Sequence, residues 1–65
     1  MQKYIERMIT EEKELNDRIA KAEKAIENPP FGSDTEGLNL LETQVGFMKS
    51  YSEVLHRRID YEVAK

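Results

Sequence analysis

The sequence has no cysteine and only one histidine, His56. Disulfides and thiolate metal sites are therefore excluded, and so is a zinc site built from several histidines. A chain of 65 residues is short for a stable hydrophobic core, and domains of this size usually depend on a disulfide, a metal or an oligomer. Because the first two are missing, we expect the chain to self-associate.

Long apolar runs and an excess of basic residues are also missing. No run approaches the roughly 20 apolar residues that span a bilayer. The first residues, Met-Gln-Lys-Tyr, show no apolar stretch typical of a signal peptide, so we expect none. Ten basic residues stand against thirteen acidic ones, for a net charge of −3. Modules that bind duplex nucleic acid gather basic residues on one face. We therefore expect no membrane insertion, no binding to duplex nucleic acid and a cytoplasmic location.

Recognisable catalytic motifs are scarce. The sequence contains no glycine-rich phosphate loop of standard spacing and no nucleophile elbow. His56 is expected to approach Glu12 once the chain folds back, but one imidazole beside one carboxylate is more often an ion pair than an acid–base pair. We expect no enzyme activity, no metal and no cofactor.

The strongest break in the chain is residues 28–33, with the sequence Asn-Pro-Pro-Phe-Gly-Ser. Proline removes a helical hydrogen-bond donor and disfavours helix at the preceding residue, so helix 1 is expected over about residues 2–27. Ser33 and Glu36 have the spacing of a capping box with Ser33 as the N-cap. Helix 2 is accordingly expected over about residues 34–63.

Both helices repeat apolar residues at gaps of three and four, the heptad spacing of helices packed along their length. The stripe of helix 1 is Met1, Ile5, Met8, Glu12, Leu15, Ile19, Ala22 and Ile26. The stripe of helix 2 is Leu38, Leu41, Val45, Met48, Ser52, Leu55, Ile59 and Glu62. Folding the chain back aligns the two stripes throughout, which predicts an all-α fold: one antiparallel two-helix hairpin domain over residues 1–65.

Two polar residues, Glu12 and Ser52, interrupt the stripes and fall in the same layer of the predicted hairpin. One interpretation is a polar layer that fixes the register of the helices. The alternative is a polar gap that contacts a ligand.

Helix 2 carries a second stripe that helix 1 cannot cover. It lies about 100° around the helix from the first and consists of Leu40, Gln44, Phe47, Tyr51, Val54, Arg58 and Tyr61. An apolar and aromatic stripe of this kind marks an interface on a soluble protein. This stripe predicts a homo-oligomer.

Two features are able to bind a small anionic ligand. The start of helix 2 offers free backbone N–H groups, unless Ser33 and Glu36 simply cap it. The second feature is a set of basic residues with one tyrosine: Tyr4, Arg7, Arg18, Lys21, Arg57 and Arg58. Tyrosine and arginine stack on nucleobases, and arginine pairs with phosphate. The alternative interpretation of this set is an ordinary solvated surface.

Three spaced motifs carry a resemblance to a known family. They are Tyr-x-x-Arg at 4–7, Leu-Leu-x-x-Gln at 40–44, and Met-x-x-Tyr-x-x-x-Leu-x-x-Arg-Ile at 48–59. From about residue 4 to residue 59 the chain resembles a family of small tailed-phage proteins, named after a gene of a crAss-like phage. That family includes the anti-CBASS sponges, which sequester cyclic-oligonucleotide signals.

The resemblance implies a symmetric hexamer that binds cyclic dinucleotides between protomers, with a tyrosine stacked on the bases and a lysine nearby. It also implies a separate cyclic-trinucleotide site with an arginine on the phosphates. Tyr4 is then the candidate stacking residue, and Arg18 or Lys21 the candidate cation. The implied function is a phage immune-evasion sponge in the host cytoplasm that holds its ligand without cleaving it. The alternative is a helical adaptor that docks a host or phage protein through helix 2.

Overall fold

The computed structural model describes residues 2–65, which form two α-helices joined by a short turn. Helix α1 is Lys3–Glu27 and helix α2 is Thr35–Ala64. The helices pack antiparallel into a hairpin 48 Å long and 15 by 14 Å across. The all-α hairpin predicted from the heptad stripes is confirmed. Met1, the first member of the helix-1 stripe, lies outside the described residues.

The core lies between the helices and is built from the two predicted stripes. Its buried members are Ile5, Met8, Leu15, Ile19, Val45, Leu55 and Ile59. Ala22, Ile26 and Met48 are partly buried and pack against them. Every one of these residues belongs to a predicted stripe, because only a gap of three or four keeps side chains on the same side of a helix. Leu55 is the most completely buried side chain of the described chain.

The polar interruption of the core is closed by hydrogen bonds. Glu12 and Ser52 are both half-buried. Each bonds to another residue. Oε2 of Glu12 lies 2.7 Å from Nδ1 of His56, and the Ser52 hydroxyl donates to Oδ1 of Asn16 at 2.7 Å. Within residues 2–65 no buried side-chain polar atom lacks a partner. These contacts agree with the register-fixing interpretation and leave no open polar gap.

The turn ends one residue later than the predicted capping box requires. The backbone N–H of Ser33 donates to the carbonyl of Pro30 at 3.1 Å, so Ser33 belongs to the turn. Asp34 is the N-cap of α2, and its carboxylate accepts from the N–H of Gly37 at 2.7 Å. The prediction of Ser33 as N-cap is therefore wrong. Gly37 has a low helix propensity, but it leaves room for the cap, since a Cβ there would meet the Asp34 carboxylate at 2.7 Å.

Neither helix combines the length and the apolar composition that crossing a membrane would require, as far as residues 2–65 are concerned.

Candidate functional site

The hairpin has two edges where the flanks of α1 and α2 meet beside the core, and they differ in chemistry. The tyrosine edge is defined by Tyr4, Glu11, Tyr51, Arg58 and Glu62, and it is held by two contacts between tyrosine and glutamate. The histidine edge lies on the opposite side of the core. It is defined by Glu12, Asn16, Glu23, Lys49, Ser52 and His56.

The outer end of the tyrosine edge joins the first turn of α1 to the last turn of α2. The Tyr4 hydroxyl donates to Oε2 of Glu62 at 2.7 Å, while about half of the Tyr4 residue remains exposed. This hydrogen bond, with smaller contributions from desolvation and the Glu62 charge, raises the pKa of Tyr4. The same bond is the main cause that lowers the pKa of Glu62. The hydroxyl of Tyr4 is thus hydrogen-bonded to the other helix, and part of the Tyr4 ring remains open to solvent.

A second tyrosine repeats this arrangement nearer the middle of the hairpin. The Tyr51 hydroxyl donates to the carboxylate of Glu11, and this bond is the main cause that raises the pKa of Tyr51. Arg58 lies one helical turn before Glu62 in α2. Its positive charge adds to the lowering of the pKa of Glu62 and partly opposes the rise in the pKa of Tyr51. The edge therefore combines two aromatic rings, two carboxylates and one guanidinium group.

The apolar part of the second stripe of α2 adjoins this edge and is not covered by α1. We call it the helix-2 stripe: Leu40, Phe47, Tyr51, Val54 and Tyr61, all of which are exposed. Part of it forms a shallow apolar groove of about 520 Å³ that runs from Leu40 to Tyr51. At the C-terminal end of the helix-2 stripe, the ammonium of Lys65 lies 4.8 Å from the ring centre of Tyr61. Tyr51 belongs to both the stripe and the tyrosine edge, so the two surfaces are continuous.

The histidine edge is a polar surface whose side chains are joined across the two helices by hydrogen bonds and ion pairs. His56 lies between Glu12, at 2.7 Å from Nδ1, and Asp60, at 3.5 Å from Nε2. Lys49 and Glu23 form a cross-helix ion pair at 2.6 Å. Exposed pairs of this kind contribute little to stability, on the order of 0–1 kcal/mol each. In the described chain no three histidine or carboxylate side chains converge as a metal site requires.

A family model described as Sequestin matches residues 2–61. The chain belongs to the Sequestin family. The matched range covers all of α1 and most of α2, and it ends one residue before Glu62. It includes Tyr4, Glu11, Tyr51 and Arg58. No curated protein and no solved structure matches the chain.

The residues predicted to bind a ligand do not all lie together in the hairpin. Arg7 follows Tyr4 by one helical turn, and Arg58 lies at the same end of the hairpin. Arg18 lies 14 positions beyond Tyr4 in α1, or about 21 Å along the helix axis. It pairs with Glu14 at 3.8 Å. Tyr4 and Arg18 therefore cannot contact the same small ligand through one protomer unless that ligand is extended.

The other two predicted cations have no contact with either tyrosine pair among the hydrogen bonds and ion pairs of the described residues. Lys21 is exposed in the half of α1 nearest the turn. Arg57 pairs with Glu53, one turn earlier on the exposed side of α2, at 2.8 Å. The assignment of ligand contacts to Arg57 and Lys21 stays a prediction, as it does for the other four residues of the set.

The start of α2 is filled by the chain itself. The Asp34 carboxylate accepts the hydrogen bond of Gly37 N–H and brings a negative charge to the helix N-terminus. A bound anion would have to displace this carboxylate and overcome its repulsion. The arrangement favours the capping interpretation of this segment over an anion site.

Three residues of the tyrosine edge were not among the sequence-derived ligand contacts: Glu11, Tyr51 and Glu62. Tyr51 was assigned to the interface stripe and to the third motif of the resemblance, and Glu62 was assigned only to the core stripe. The register offered one signal, because it aligns Ile5 with Ile59 and so brings the start of α1 to the last turns of α2.

Proposed function

We propose that this protein is a sponge that binds and sequesters a cyclic oligonucleotide without cleaving it. Membership of the Sequestin family over residues 2–61 is the observation that carries the proposal, since the family name describes sequestration. The nature of the ligand, a cyclic di- or trinucleotide, comes from the resemblance to the anti-CBASS sponges. In that role the protein would protect a phage from a signal made by its host, in the host cytoplasm.

The chemistry of the tyrosine edge supports a ligand with bases and phosphates. Tyr4 offers a partly exposed ring on which a base can stack, and such stacking is worth about 1–3 kcal/mol per base. Arg58 lies at the same end, and Arg7 is one turn from Tyr4. A guanidinium group pairs with phosphate through two parallel hydrogen bonds.

One protomer alone supplies a weak site, which favours binding between copies. Glu11 and Glu62 accept the tyrosine hydrogen bonds on this edge, and their charges offset those of Arg7 and Arg58. A phosphate would gain attraction if a second copy brought further cations. Arg18 and Lys21 are the candidates, since they lie too far along α1 to assist Tyr4 of their own protomer.

The helix-2 stripe supports assembly into a homo-oligomer, for which the resemblance implies a hexamer. Its five large side chains are exposed in the protomer, and a contiguous patch of this kind commonly marks an interface. Because the stripe is continuous with the tyrosine edge, copies joined through it would bring their tyrosine edges close to one another. A symmetric assembly repeats each aromatic and cationic group, and so it can contact both halves of a two-fold ligand.

Binding without turnover is part of the proposal. His56, the single histidine, lies on the histidine edge, across the core from Tyr4 and Tyr51. From there it cannot reach a ligand held at the tyrosine edge of its own protomer. The residues proposed to touch the ligand supply stacking and charge, and they do not form a nucleophile–base pair.

A second candidate is a helical adaptor that docks a host or phage protein. The exposed helix-2 stripe favours it, because an amphipathic partner helix could cover the same apolar groove. Native mass spectrometry with and without a panel of cyclic di- and trinucleotides separates the two functions. The sponge predicts an oligomer that gains whole, intact nucleotides. An adaptor predicts that no nucleotide is retained.

Tyr4→Ala supplies the variant for the same experiment. We expect it to lose the bound nucleotide and to keep the native mass of the oligomer, because Tyr4 lies outside the helix-2 stripe. Retention of wild-type affinity by Tyr4→Ala would contradict the proposed stacking role.

A further inference from the structure

Glu62 differs from most carboxylates of this chain in being both recessed and shared. Its side chain is 21% exposed. It accepts the Tyr4 hydroxyl at 2.7 Å and lies 3.4 Å from the ammonium of Lys65. Arg58, one turn earlier in α2, adds a second positive charge nearby. The two cations favour the ionised form of Glu62, which is the stronger hydrogen-bond acceptor.

The hydrogen bond from the Tyr4 hydroxyl to Glu62 restricts the position of the Tyr4 ring. Tyr4 is the second residue of α1, and about half of the residue is exposed. A surface tyrosine of this kind samples several rotamers, and ordering it on binding weakens affinity. The bond to Glu62 joins the ring to the other helix by its hydroxyl. Part of the ring is still open for stacking.

We propose that Glu62 is a positioning residue for ligand binding, which holds the Tyr4 ring in the orientation that stacks on a base. The inference rests on the proposed function and goes beyond it, because it assigns part of the affinity to a residue that need not touch the ligand. It also explains why a carboxylate lies beside a site for an anionic ligand. Lys65 and Arg58 offset the repulsion between Glu62 and the ligand phosphates. In return, Glu62 orders the Tyr4 ring before the ligand binds.

The test is a double-mutant cycle on ligand affinity. Cyclic di-AMP, cyclic di-GMP, cyclic GMP–AMP and cyclic tri-AMP serve as probes, measured by calorimetry and by quenching of tyrosine fluorescence, which no tryptophan obscures. Glu62→Ala and Tyr4→Phe should each weaken binding about three- to tenfold, the range expected for one lost hydrogen bond. The double variant should bind no more weakly than either single variant, because both changes remove the same bond.

Two further variants separate positioning from general damage to the fold. Glu62→Gln keeps an acceptor for the Tyr4 hydroxyl and should recover part of the affinity. Glu23→Ala is the matched control, since Glu23 also forms a cross-helix contact, with Lys49 at 2.6 Å, but on the histidine edge. It should leave the affinity unchanged.

Each remaining outcome overturns a specific statement. If the wild type binds a probe and Glu62→Ala binds it equally well, Glu62 has no positioning role and the sponge proposal stands. If the losses from Glu62→Ala and Tyr4→Phe add in the double variant, Glu62 acts by another route and the inference is wrong. If the wild type binds none of the four probes, the proposed function fails and the inference fails with it.

Discussion

Phe47 and Phe31 carry the same side chain at different places on the surface, and replacing each by serine tests where copies of the chain meet. Phe47 lies in the middle of the helix-2 stripe and is 73% exposed, whereas Phe31 lies on the turn and is fully exposed. Both changes remove an exposed benzyl group, so neither should disturb the core. If the stripe is the interface, only Phe47→Ser should weaken the oligomer.

The size of the effect follows from the exposed area. Fully burying a phenylalanine is worth about 1.5–3 kcal/mol, so covering the exposed part of Phe47 is worth about 1–2 kcal/mol. A two-fold interface contains this residue twice, which gives about 2–4 kcal/mol per pair of copies. The dissociation constant of the pair should rise about 30- to 700-fold.

The assay is sedimentation equilibrium across a micromolar concentration range, with helix content followed by circular dichroism. We expect Phe47→Ser to move dissociation to higher concentration, and Phe31→Ser to match the wild type. A wild type that stays a fully folded monomer at micromolar concentration would refute the reasoning. A loss of mass in Phe31→Ser alone would show that copies meet at the turn instead.

Three other predictions concern the protomer. Asp34→Ala should lower the free energy of unfolding by about 0.5–2 kcal/mol, because it removes the N-cap of α2. Ser33→Ala should be nearly neutral in the same urea denaturation, and equal losses from the two variants would contradict Asp34 as the N-cap. Leu55→Ala should cost about 2–5 kcal/mol, since Leu55 is fully buried in the core; a thermal melt no lower than that of the control Val63→Ala would be inconsistent with that burial. The Tyr4–Glu62 bond predicts a pH dependence. Because the pKa of Glu62 is lowered, its stabilising contribution is fully present above the ordinary glutamate pKa and is lost as pH falls through the lowered value. Because the pKa of Tyr4 is raised, its contribution is fully present below the ordinary tyrosine pKa and is lost as pH rises through the raised value. The stability difference between wild type and Tyr4→Phe should therefore be greatest between these limits and shrink in acid and in strong alkali, and a difference independent of pH would show that the bond does not form.

The hairpin was predictable because heptad spacing and the Pro-Pro turn act over long stretches of sequence. Seven buried side chains follow from the spacing alone, since a helix face is fixed by counting residues. The N-cap was mispredicted by one position. Whether Ser33 or Asp34 caps α2 depends on the turn, in which the Ser33 N–H already bonds to Pro30.

The candidate site was less predictable, because it depends on side-chain contacts between two helices. Arg7 and Arg18 are eleven positions apart, a spacing that places them on one face of a helix. Angular spacing does not account for the distance between them along the helix axis. The bonds of Tyr4 to Glu62 and of Tyr51 to Glu11 join positions far apart in sequence. Which of the carboxylates near each tyrosine accepts the bond depends on rotamers, and heptad counting does not specify rotamers.

Calorimetric titration of the wild-type protein with cyclic di- and trinucleotides tests the central claim most directly, with the bound ligand recovered by heat denaturation and identified by mass spectrometry. A sponge has to compete with a signal receptor, so we expect a dissociation constant near 10 nM, or about −11 kcal/mol, and a ligand recovered intact. Absence of any binding tighter than about 10 μM, or about −7 kcal/mol, would contradict the account, and so would recovery of a hydrolysed ligand.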